Sequence, residues 1–142
     1  MRNIPEGTII IKDIASVNLF SERFITDELQ MYHIIYNVLT SRDEHVISQF
    51  EKLIPTTHDE HTIKYSIILS QINKINDEKI KTLLQSINKK EMELYCSKYI
   101  RNAFNFNVKN RNMKVNPVIL FNGAVFNHSC IPNVIFSPQD AD

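Results

Sequence analysis

Between residues 26 and 101 apolar positions recur at helical intervals, with no glycine and only Pro55 to interrupt them. Ile25, Leu29, Tyr32, Ile35, Tyr36 and Leu39 form one stripe, and Ile80, Leu83, Leu84 and Ile87 form another, the spacing of amphipathic helices. On either side the period changes. Ahead of the block, Pro5, Glu6 and Gly7 make a turn signal before Thr8, Ile9, Ile10 and Ile11, a β-branched run that reads as a buried strand. Behind it, Ala103, Phe104, Phe106 and Val108 lead to a polar turn over 109–114 and then to Val118, Ile119, Leu120 and Phe121, which reads as a hairpin or two short strands. Val134, Ile135 and Phe136 make one more strand, closed by Ser137 and Pro138. Strand, helices, strands is the order of an α+β domain.

An Asp-Glu pair occurs at 27–28, 43–44, 59–60 and 77–78, each just after a capping residue or a break: Thr26, Ser41, Thr57 and Asn76. Acidic residues in a first turn suit the positive end of the helix dipole, and Ser41 with Glu44 and Thr57 with Glu60 fit the capping box. All four pairs therefore predict helix starts. The third lies in His58, Asp59, Glu60 and His61, which could instead hold a metal. Its spacing is not that of His-Glu-x-x-His, where both histidines share one helix face, so a solvated helix start is the preferred reading. The regular spacing of the pairs also suggests a two-helix repeat, but such repeats use small residues where helices pack, and this block has neither Gly nor Ala. A helical insertion packed on a small sheet accounts for the same pattern.

Composition narrows the classes. The 142 residues fit one domain, and 43% hydrophobic content is enough for a core. Sixteen basic and sixteen acidic side chains cancel without a long run of either sign, so nothing predicts an electrostatic hold on nucleic acid or on an anionic membrane. No apolar run approaches a membrane span, and "MRNIPEG" lacks the core of a signal peptide, so the expectation is a soluble, intracellular protein of cytoplasm or nucleus. Two cysteines, Cys96 and Cys130, cannot build a disulfide framework or a four-cysteine zinc site.

The densest candidate chemistry is "FNHSCIPNV" at 126–134. As a metal site it offers His128 and Cys130, two ligands that no other residue completes at a suitable spacing. As a nucleophile, Cys130 would need a base, and a histidine two residues away points to the opposite face of an extended chain. Pro132 and Asn133 equally support a packed turn. No metal site is expected.

Asn127, His128, Ser129, Cys130, Ile131, Pro132 and Asn133 resemble the N-H-S-C-x-P-N signature of SET-domain methyltransferases, most closely the branch that combines SET with a MYND zinc finger. "RNIPEGTII" at 2–10 looks like the SET opening before its first strand, and "RNAFNF" at 101–106 looks like the N-x-F stretch that precedes N-H-S in that branch. The resemblance implies one SET-like domain over 1–142, with small β-sheets and a large helical insertion: an N-terminal strand region at 1–25, the insertion at 26–101, and C-terminal strands with the motif at 102–142. It implies S-adenosylmethionine as cofactor, held by Asn102, Asn127 and His128, with Asn102 at the amino-acid end. Cys130, a zinc ligand in that branch beside a cysteine-rich segment, is here taken as a buried thiol. The implied reaction is methyl transfer to a lysine of a protein substrate, the amine freed of its proton by desolvation in an apolar channel. Direct nucleic-acid or membrane binding is not expected.

The pattern departs from the family in three places. The Gly-x-Gly loop before the first strand is missing, no MYND cluster interrupts the chain, and the family continues through Gly-Glu-Glu to a catalytic tyrosine that these residues do not reach. Tyr32, Tyr36, Tyr65, Tyr95 and Tyr99 all fall in the helical block, so no catalytic residue is assigned and a truncated domain is implied. Two functions follow: a SET-type protein-lysine methyltransferase or part of one, and an inactive SET-like module whose helical insertion holds a protein partner. A helical scaffold unrelated to SET is a further reading beside these two.

Overall fold

The computed structural model describes residues 3–13, 17–18, 26–106 and 116–125. The strand expected at 134–136 and the whole motif at 127–133 lie outside them.

Among the described residues five helices form the body: α1 (Asp27–Leu39), α2 (Glu44–Glu51), α3 (Tyr65–Ile72), α4 (Glu78–Ser86) and α5 (Lys89–Asn102). Three of the four Asp-Glu pairs begin helices, and in two of these the acid itself is the cap. The Asp43 carboxylate accepts from the backbone N–H of His45, and that of Asp77 accepts from Lys79 and Ile80. Asn88 does the same for α5, accepting from Lys90 N–H. The pair at 59–60 starts no helix. Asp59 instead closes a turn, its N–H donating to Thr62 Oγ1 and its carboxylate accepting from His61 N–H, and the next helix begins only at Tyr65. Its start is served from another helix, because Tyr65 N–H donates to Glu93 Oε1 of α5 at 3.1 Å. A cap supplied across 28 positions leaves no local sequence signal.

α1 is the axis of the body. It packs against α2, α3, α4 and α5, which separates this arrangement from a repeat array, where each unit touches only its neighbours. Met31, Tyr32, Ile34, Ile35 and Val38 are all buried, a wider face than one stripe, while Leu29, Tyr36 and Leu39 pack at its margin. The α4 stripe holds as expected, with Ile80 and Leu84 buried and Leu83 and Ile87 partly so. Phe50 of α2 is 1% exposed and meets the Tyr95 ring at 5.8 Å between centroids.

The sheet is small. Strands β1 (Val17–Asn18), β2 (Ala103–Phe106) and β3 (Asn116–Ile119) lie in the order β1-β3-β2, both pairings antiparallel. The expected pairing of the segments on either side of 109–114 is thus present, and β1 and β3 both pack against α1. Mixed helix and sheet in this order is an α+β arrangement. β1 reaches only Val118 and Ile119, so Pro117, which has no N–H to give, lies beyond the part of β3 that β1 covers.

The expected buried strand over 8–11 is corrected. The turn before it forms, with Gly7 at φ 80° and Thr8 donating to Pro5 O through both its N–H and its hydroxyl. Ile9, Ile10 and Ile11 are then 59%, 43% and 45% exposed, and no strand among the described residues pairs with them. β-branched residues favour an extended chain, but only a partner ladder makes it a strand.

Candidate functional site

The register of the hairpin decides what lies near what. Phe106 pairs with Asn116 and Ala103 with Ile119, so one step further Asn102 and Leu120 stand at the same end of the sheet. From Leu120 the chain runs through a turn and one 3₁₀ turn, Gly123–Val125, immediately ahead of the N-H-S-C-x-P-N motif. Of the three residues assigned to the cofactor, Asn102 is therefore described, at the strand end that leads towards the other two. Asn127 and His128, like Cys130, lie outside the described residues.

Asn102 is the last residue of α5 and is 9% exposed. Its Nδ2 donates to Ile54 O at 2.6 Å and to Lys98 O at 2.8 Å. Both amide protons are thereby committed, so a ligand could engage the side chain only through its Oδ1 acceptor. The loop that supplies Ile54 O is itself gripped by α5. Lys98, 2% exposed, donates from Nζ to Glu51 O at 2.7 Å and to Leu53 O. Those carbonyls lie at the end of α2 and just beyond it, where the helix dipole favours a cation. Burial holds the Lys98 pKa below its ordinary value, and the nearby Glu51 carboxylate opposes that shift.

A second anchor comes from the N-terminal segment. Asp13 Oδ2 accepts from the backbone N–H of Asn122 at 2.8 Å and of Gly123 at 2.9 Å, closing a span of about a hundred residues directly before the motif. Gly123 fits closely over the sheet. A Cβ there would lie 3.3 Å from Leu120 Cβ and 3.6 Å from the Phe104 ring.

The four residues 58–61 do not converge on one point. His58 Nε2 lies 3.3 Å from Glu93, His61 pairs with Glu60, and Asp59 takes two bonds from Arg101 Nη2 at 2.7 and 2.9 Å. Among the described residues no group of three His, Cys, Asp or Glu is placed to hold a metal ion. Neither the helix start nor the ion site is what these residues make; they latch the 58–65 connection onto α5. Cys96 is fully buried, and burial, with Glu93 nearby, raises its thiol pKa, the opposite of what a reactive thiolate needs.

The tyrosines serve the core. Tyr32 is wholly buried and its hydroxyl donates to Gln71 Oε1, while Tyr36, Tyr65, Tyr95 and Tyr99 pack at the margin of the same cluster. Burial pushes the Tyr99 hydroxyl up to about 12. Lys98 and Asp13 went unnoticed in the sequence, since a lysine in a polar helical stretch and an aspartate after an isoleucine run carry no mark of long-range partners. No described helix is long and apolar enough to cross a membrane.

No family model and no solved structure matches the chain. It is 33% identical over 141 residues to a protein of Acanthamoeba polyphaga mimivirus whose name describes it as SET domain-containing. The match takes in 96% of this chain and 51% of that protein, so the chain spans about half the length of the relative it matches. The likeness supports a relationship to the SET-domain proteins at the level of the family.

Proposed function

We propose that the chain is an S-adenosylmethionine-dependent protein-lysine N-methyltransferase of SET type, or part of one, nearest to the SET-and-MYND branch. The observation that carries this reading is the identity to a SET domain-containing protein along nearly the whole chain. The hairpin register supports it, because Asn102 stands at the strand end leading towards Asn127 and His128.

The chemistry of Asn102 fits the cofactor's amino-acid end. With Nδ2 occupied by Ile54 O and Lys98 O, Oδ1 is an acceptor suited to an ammonium group. S-adenosylmethionine supplies a methyl group on a sulfonium, ready for transfer to a nucleophilic amine. Asn127 and His128 would hold its remaining polar edges through amide and backbone groups, which add no charge beside the sulfonium. The acceptor is a lysine of a protein substrate, and its ordinary pKa of about 10.4 means it must lose a proton before it attacks.

The placement of all five tyrosines in or against the helical core favours a second reading, a SET-like module that binds without transferring and presents its helical block to a protein partner. Labelled S-adenosylmethionine incubated with the chain and lysine-bearing peptides or whole lysate separates the two. Label appearing on lysine above background is the expected result; cofactor binding with no transfer favours the second reading, and neither binding nor transfer overturns the first.

A further inference from the structure

Lys98 is an unusual residue to find buried. A lysine loses rotamer freedom and hydration on burial, so a chain that keeps one inside gains from what its ammonium holds. Here it holds the carbonyls of Glu51 and Leu53, in the same short stretch as the Ile54 carbonyl to which Asn102 donates. The remaining acceptor of the Asn102 amide is Lys98's own backbone oxygen. On α5 the two side chains are four positions apart, one turn along the same face. Each bond to the loop thus supports the other: Lys98 fixes the Glu51 and Leu53 carbonyls, these restrain Ile54 O, and Ile54 O with Lys98 O fixes which way the Asn102 amide is turned.

That orientation matters for a ligand. An amide rotated by half a turn presents NH₂ where it presented oxygen, and towards an ammonium group the first repels and the second binds. On the cofactor reading given above, we propose that Lys98 is a positioning residue for cofactor binding: by tying the 51–54 loop to α5 it locks the Asn102 amide with Oδ1 outward, towards the amino-acid end of the cofactor. The adenosine end does not depend on it.

The two ends of the cofactor can be tested separately. Dissociation constants are measured by calorimetry for S-adenosylhomocysteine, which has the amino-acid end, and for methylthioadenosine, which lacks it. The wild-type chain should bind both. Lys98→Met, which keeps the length of the stem and removes the donors, should weaken S-adenosylhomocysteine by about ten-fold, the effect of one charge-assisted hydrogen bond, and leave methylthioadenosine unchanged. Lys98→Arg, which restores donors to the loop, should recover part of the loss. Equal weakening of both ligands means a general structural role and overturns the assignment while leaving the cofactor reading intact. Failure of the wild-type chain to bind either ligand overturns both. Should Lys98→Met not fold, the wild-type protein still decides the matter by hydrogen exchange at the Asn102 side-chain amide. Protection in the ligand-free state is expected, and exchange as fast as that of an exposed amide overturns the lock.

Discussion

The helical body and the sheet end are held by different forces. In the body, α1 is surrounded by four helices and the contacts are apolar, with Tyr32, Ile34, Ile35, Ile68, Ile72, Leu84 and Met92 fully buried. The sheet end has strands of two to four residues, and two of its ties are polar and long-range: Asp13 on the turn at 122–123 and Asn102 on Ile54. Burial of apolar area is insensitive to direction, whereas a hydrogen bond fixes it. The body supplies stability; the sheet end, where Asn102 stands, supplies orientation.

The difference has measurable consequences. The largest should come from the body. Phe50→Ala removes a ring that is 1% exposed and its contact with Tyr95, and should lower the unfolding free energy by about 4 kcal/mol in a denaturant titration. Asp13→Ala should cost about 1–2 kcal/mol, and locally. Hydrogen exchange at Asn122 and Gly123 should speed up while the amides of α1 keep their protection; an equal loss in both would show that the sheet end unfolds with the body. Asp77→Ala removes the α4 cap and should cost about 1 kcal/mol.

The smallest effect belongs to the exposed latch. The Arg101 hydrogen bonds hold the Asp59 carboxyl below its ordinary pKa, opposed by desolvation and helped by the N–H of His61. A pKa depressed on folding contributes stability above the unfolded value of about 4, and the contribution disappears as pH falls through the folded value. Wild-type and Arg101→Gln chains compared in acid denaturation should therefore converge below that range and differ above it. A constant gap at every pH would mean that Arg101 acts through packing alone.

These regions were also unequally legible in the sequence. Helical periodicity located the body, and the stripe of Ile80, Leu83, Leu84 and Ile87 matched its buried face, because a helix repeats its environment every turn. The alternation after Asn102 and the polar stretch over 109–114 located the antiparallel hairpin for the same reason at period two. Asp59 and Glu60 misled, since an acidic pair marks a solvated turn as readily as a helix start, and Arg101 decides between them from 42 positions away. Ile9, Ile10 and Ile11 misled because strand propensity does not name a partner. At the candidate site, Asn102 was singled out only by its resemblance to a family motif. Lys98 was not, because its role exists only once α5 lies against the loop it grips.

Cofactor binding is the central claim, and calorimetric titration of the chain with S-adenosylmethionine tests it most directly. A saturable heat is expected from the wild-type protein and none from Asn127→Ala, provided the variant keeps the wild-type unfolding transition. No heat from the wild-type chain at millimolar ligand, or identical binding by Asn127→Ala, would contradict the account.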